Sequence, residues 1–192
     1  MSFIAKTILT VLLLFYPVIV YFGISYYDVH FISIILLFVF LTKFLLERKF
    51  LKDHLETKQS VFTVIIAVLI CLLTIYSRES TYLKYYPVCM NILFLVLFLY
   101  SLAYPPTMIE KFARLRHQNL NKHAINYLRK VTTLWCAFFI FNGTISAYTV
   151  LWGSLDVWAL YNGLISYILM AGLFLGEFLY RKLIYKDGVL NE

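Results

Sequence analysis

Two apolar runs set back to back in the second half of the chain constrain the fold more than any other feature. Residues 131–152 and 158–180 are each about the length of a bilayer-spanning helix. Such a helix needs roughly 20 apolar residues rising about 1.5 Å apiece. The polar step Gly153-Ser154-Leu155-Asp156 is nearly all that separates them. A pair so joined turns back on itself, and in lipid each helix must satisfy its own backbone N–H and C=O groups. Runs of similar character recur at residues 4–23, 29–46, 61–76 and 87–104. The expected fold is therefore an all-α integral membrane protein with six transmembrane helices in one domain, residues 1–192.

Composition and charge placement sharpen this expectation. Six spans consume most of a 192-residue chain that is 62% hydrophobic and 14% charged, so the connections must be short. The formal charge of +7 does not call for a nucleic acid. If the spans alternate, fifteen of the seventeen Lys and Arg fall on one side, and only Arg78 and Lys84 on the other. That is the positive-inside pattern, and it places both termini in the cytoplasm. The first run carries one early lysine, Lys6, and no small-residue cleavage pattern, so it reads as a retained anchor. Pro17 inside it implies a kink that neighbouring helices re-satisfy.

Between the fourth and fifth spans the pattern changes. Pro105-Pro106 ends one helix, and Thr107-Met108-Ile109-Glu110 has the form of a capping box that starts another. Met108, Phe112 and Leu115 share a face, with Glu110, Lys111, Arg114 and Arg116 largely elsewhere. Residues 107–127 are therefore expected to include a cytoplasmic amphipathic helix lying in the membrane interface. Gln118 to Asn121 interrupt it, and Asn121 is placed to cap the helix running on through Arg129 and Lys130 into the fifth span.

The last two spans carry the polar residues that need explaining. Thr132, Trp135, Asn142, Ser146 and Thr149 recur at helical spacing, as do Asn162, Ser166, Leu173, Glu177 and Arg181. Turned to lipid, the amides would lack partners, so the two stripes are expected to face each other or a shared cavity. Interhelical hydrogen bonding explains them structurally; a substrate-facing pocket of Trp135, Asn142, Trp158, Asn162, Glu177 and Arg181 explains them functionally. Glu177 stands one turn before Arg181, which permits an i,i+4 ion pair as well as a head-group-binding carboxylate. Gly172-Leu173-Phe174-Leu175-Gly176 is a GxxxG pattern, read as a packing contact within one chain. The three tryptophans and many tyrosines read mostly as interface belts.

The basic stretch on the inner side sets topology and attracts anionic lipid. Its functional alternative is docking of an acidic soluble partner through Glu110, Arg114, Arg116 and Arg129. Cys71, Cys89 and Cys136 fall inside spans with no paired spacing, and the four histidines have no ligand spacing. No catalytic residue, metal site or cofactor is named from this sequence.

The stretches YPPTMIEKFARL, LRKVTTLWCAFFIFNGTISAYT and WALYNGLISYILMAGLFLGEFLYR resemble an uncharacterised bacterial inner-membrane family associated with aryl polyene and xanthomonadin-type pigment lipid biosynthesis. Lys84-Tyr85-Tyr86-Pro87 before one span, and a Trp135-containing span followed by an Asn, are similar to the intracellular septation protein A family. The first resemblance implies a role in the bacterial inner membrane near assembly or transfer of a carrier-bound acyl or polyenyl chain, and it brings no catalytic residues with it. The reading taken from it is a non-catalytic accessory that assists assembly or transfer of an acyl- or polyene-type lipid made by cytosolic carrier-protein enzymes, with an acidic acyl carrier protein or another cytosolic biosynthetic enzyme as partner. The second implies a structural scaffold for the envelope or division. An integral-membrane acyl or glycosyl transferase is a third reading. Membrane lipids are the expected partners, and a homodimer is left open.

Overall fold

The computed structural model describes residues 15–48, 54–115 and 120–184. Among them every regular element is helical: α1 (Tyr16–Tyr26), α2 (Val29–Arg48), α3 (His54–Ser77), α4 (Thr81–Lys84), α5 (Tyr86–Ala103), α6 (Met108–Arg114), α7 (Lys122–Trp152), α8 (Leu155–Leu160), a π-helical turn (Tyr161–Ile165) and α9 (Ser166–Ile184). Among the described residues three continuous helical stretches are long and apolar enough to cross a membrane: Thr81–Ala103, Lys122–Trp152 and Leu155–Leu183. Tyr16–Tyr26, Val29–Thr42 and Val61–Ser77 are shorter apolar helices. The N-terminal part of the run 4–23, and Arg116 with the Gln118 break, lie outside the described residues. Pro17 sits in the first turn of α1, where its missing N–H costs no helical hydrogen bond.

Local chemistry sets several boundaries. Asn121 caps α7, its Oδ1 accepting from the Ala124 N–H at 2.8 Å. Thr107 and Glu110 open α6 as a capping box, the Glu110 carboxylate accepting from the Thr107 N–H at 3.3 Å. The return approach of the Thr107 side chain falls short of a hydrogen bond. Ser154 caps α8 by accepting from the Val157 N–H at 3.3 Å. Arg78, with φ of 60°, takes the left-handed conformation that ends α3, and its N–H donates to the Thr74 carbonyl at 2.9 Å.

The chain forms two compact units. The first comprises residues 1–90 and 146–164, the second residues 91–145 and 165–192. In the first unit α2 and α3 pack along each other, and Tyr16, Val20, Leu36, Phe40, Leu83 and Trp158 form the centre of the core. Tyr86 lies against both Tyr16 (ring centroids 4.5 Å apart) and Phe40 (5.3 Å). The end of α4 is clasped by two aromatic donors: the Tyr16 hydroxyl on the Leu83 carbonyl at 2.9 Å, and the Trp158 indole N–H on the Lys84 carbonyl at 3.0 Å. Both carbonyls belong to the last turn of a helix, where intrahelical donors run out. In the second unit Phe98, Leu128, Val131, Trp135 and Phe139 build a largely aromatic core. Trp135 meets Phe174 of α9 at 4.5 Å.

Two sequence expectations are corrected here. Trp135 and Trp158 are core residues, not belt residues, at 5% and 0% exposure; only Trp152 stays open among the three. For Trp158 the reason is the Lys84 carbonyl, which gives its indole N–H a partner away from water. Among the described residues nothing packs against the GxxxG pair. A Cβ added at Gly172 or Gly176 would meet nothing within 4 Å, because that side of α9 is open. The close approaches fall at other glycines. A Cβ on Gly23 would come within 2.8 Å of Ile32, and one on Gly143 within 3.1 Å of the Asn91 side chain.

Candidate functional site

The polar residues of the apolar helices gather in separate clusters. In the first unit Asn162, 4% exposed, stands in the π-helical turn. Its Oδ1 accepts from the Ser146 hydroxyl at 2.7 Å, and its Nδ2 donates to the Trp158 carbonyl at 2.9 Å and to Thr149 Oγ1 at 3.2 Å. The Thr149 hydroxyl in turn donates to the Ser146 carbonyl at 2.7 Å. A π turn disturbs the regular i→i−4 ladder, and the amide supplies Trp158 with a donor where the ladder is disturbed. The sequence placed Asn162 opposite Ser146 and Thr149, and these three do meet. The π turn itself has no signature beyond Asn-Gly inside a helical run.

In the second unit Asn142, 3% exposed, donates through Nδ2 to Asn91 Oδ1 at 3.0 Å. Asn91 stands on α5. Gly143 makes room beside Asn91 by lacking a Cβ. The available signal was Asn91 itself, one turn into an apolar run, since a buried amide requires a partner.

Glu177 and Arg181 form a third cluster, also in the second unit. Arg181 Nε donates to Glu177 Oε1 at 3.2 Å, and the Tyr127 hydroxyl donates to the same oxygen at 3.0 Å. The guanidinium lies 5.6 Å from the Phe178 ring centroid, and Tyr127 stacks on Tyr180 at 6.3 Å with an 8° interplanar angle. Tyr127 was not singled out by the sequence. It lies two residues before Arg129, within a stretch that reads as a charged interface.

Within the basic segment the one carboxylate is turned inward. Glu110 is 3% exposed and holds Arg114 by Nε at 2.9 Å and Nη2 at 2.7 Å. Phe112 and Leu115, on the apolar face, are exposed, at 61% and 85%. Capping and the ion pair together turn the carboxylate inward, because a buried carboxylate needs both. Arg129 and Lys130 are exposed.

None of the named site residues lines the cavity of about 490 Å³ between α1 and α2. It is floored by Ile32 and Leu36 and rimmed by Phe22, Tyr27 and Phe31. Among the described residues no group of His, Cys, Asp and Glu is gathered as a metal site.

The intracellular septation protein A family matches residues 9–186, nearly the whole chain. The chain belongs to that family. The match extends through both compact units and takes in the Asn91–Asn142, Asn162 and Glu177 clusters. Family and apolar helices together make this a membrane protein. No curated protein and no solved structure matches the chain.

Proposed function

We propose that this protein is a non-catalytic, multi-pass scaffold of the bacterial inner membrane, acting in septation or envelope organisation through helix contacts. It crosses six times with both termini in the cytoplasm, and residues 107–127 lie on that side. The observation that carries the reading is the family match over residues 9–186, with polar groups in the helices engaged with one another. Asn142 is bonded to Asn91, Asn162 to Ser146 and Thr149, and Glu177 to Tyr127 and Arg181. Amides and carboxylates used in this way fix helix contacts, which is what a scaffold requires.

Two measurements test it. Single cysteines at Tyr82 and Lys122, probed with an impermeant thiol reagent on intact cells, should label at Tyr82 and stay protected at Lys122. The reverse result removes the topology. Depletion of the protein should alter septum placement or cell shape, and normal division under depletion removes the scaffold role.

The accessory role in aryl polyene-type lipid assembly is a second reading, supported by the exposed cations Arg129 and Lys130 of α7. Charge reversal at Arg114 and Arg129 should then weaken binding of a purified acyl carrier protein, whereas indifference to reversal eliminates docking.

A further inference from the structure

We infer that Arg181, held by Glu177 and walled by Tyr127 and Tyr180, is a built site for the phosphodiester of an anionic phospholipid. The site rests on the membrane reading above and names a ligand class for it.

Three observations support this. Arg181 is anchored by Nε alone, through its 3.2 Å bond to Glu177 Oε1. The two terminal nitrogens have no protein partner among the described residues, so the guanidinium presents a free fork that matches two phosphate oxygens. Glu177 is itself held, since the Tyr127 hydroxyl donates to the same Oε1 at 3.0 Å. The Phe178 ring lies 5.6 Å from the guanidinium carbon, and the Arg181 side chain keeps 28% exposure. Its orientation is therefore set before any ligand arrives, which lowers the ordering cost of binding.

The second observation is charge. Lys182 follows Arg181 in the last turn of α9, and Arg129 and Lys130 are exposed within one turn of Tyr127 on α7. Glu177 supplies one negative charge and is taken up by Arg181. The cations in excess favour a net-negative headgroup such as phosphatidylglycerol over phosphatidylcholine, whose choline they repel. The third observation is position. Arg181 closes the apolar stretch Leu155–Leu183, so its side chain stands at the depth of the lipid phosphates while the preceding turns stand at the depth of the acyl chains. Stacked Tyr127 and Tyr180 form the aromatic wall typical of that depth.

The test uses the full chain in nanodiscs of mixed phosphatidylglycerol and phosphatidylcholine, extracted gently and examined by native mass spectrometry for retained lipid. Wild-type protein should retain phosphatidylglycerol in preference to phosphatidylcholine. Arg181→Gln should lower that retention about tenfold or more, the loss expected for charge-assisted hydrogen bonds. Arg181→Lys keeps the charge, guards against a folding artefact and should still lose most of the retention, because an ammonium lacks the fork. Tyr127→Phe should lower retention less, by freeing Glu177 to move. Lys111→Gln, a charge change elsewhere on the basic segment, should leave the preference for phosphatidylglycerol intact. Equal retention of the two lipids by wild type, or unchanged retention in both Arg181 variants, overturns the site. The thiol-labelling pattern at Tyr82 and Lys122 is independent of these outcomes, so loss of the lipid site and loss of the topology are told apart.

Discussion

The Asn162 and Glu177 clusters both place polar groups among apolar helices, and they do so by opposite chemistry. Around Asn162 every partner is neutral and buried: Ser146 at 0%, Thr149 at 3% and Asn162 at 4% exposure. Around Glu177 the groups are charged and partly open, with the carboxylate side chain at 20% and the Arg181 side chain at 28%. Burial depth explains the difference. A charge taken far from water costs several kcal/mol even when paired, at about that much per ion, whereas a neutral amide with its hydrogen bonds made costs little. Neutral networks therefore suit the closed interior of a helix bundle, and ion pairs suit its edge.

Substitutions can break or sharpen this contrast. The largest effect is expected at Trp158, which fills the first unit's core and donates to Lys84. Trp158→Ala should destabilise by about 3–5 kcal/mol in an unfolding titration in mixed micelles. A loss under 1 kcal/mol would mean that the core is not organised around this ring. Next comes Asn162→Leu, which leaves the Ser146 hydroxyl and the Trp158 carbonyl short of partners. It should cost about 1–3 kcal/mol, with no dependence on salt. Asn142→Leu removes one interhelical amide pair and should cost about 0.6–1.7 kcal/mol by the same assay. The smallest effect is expected at Glu177→Gln, below about 1 kcal/mol at low salt and shrinking toward zero in 1 M salt, because the pair is partly exposed. A salt-sensitive loss at Asn162, or a salt-insensitive one at Glu177, would erase the distinction.

Much of this arrangement was legible in the amino acids, for reasons that can be named. Apolar length located the helices, since period and hydropathy are properties of one segment. Asn121 and the Thr107/Glu110 pair were readable as caps because a cap bonds to backbone two or three residues away. Partners from other segments were not readable. Asn91 and Asn142 stand 51 positions apart and Tyr127 and Glu177 stand 50 apart, and their meeting depends on how each helix is rotated about its axis. Trp158 was misassigned for a related reason. A tryptophan has the same hydropathy in a belt as in a core, and only the distant Lys84 carbonyl decides between them. The GxxxG pair shows the converse: a motif permits close approach, yet among the described residues nothing comes near Gly172 or Gly176.

A phenol and an indole hold the Leu83 and Lys84 carbonyls, and neither donor is ionised at neutral pH. Electrolyte and mild acidification therefore have no direct handle on these two bonds. A bend secured in this way keeps its shape through swings in the surrounding medium that would slacken an ionic latch.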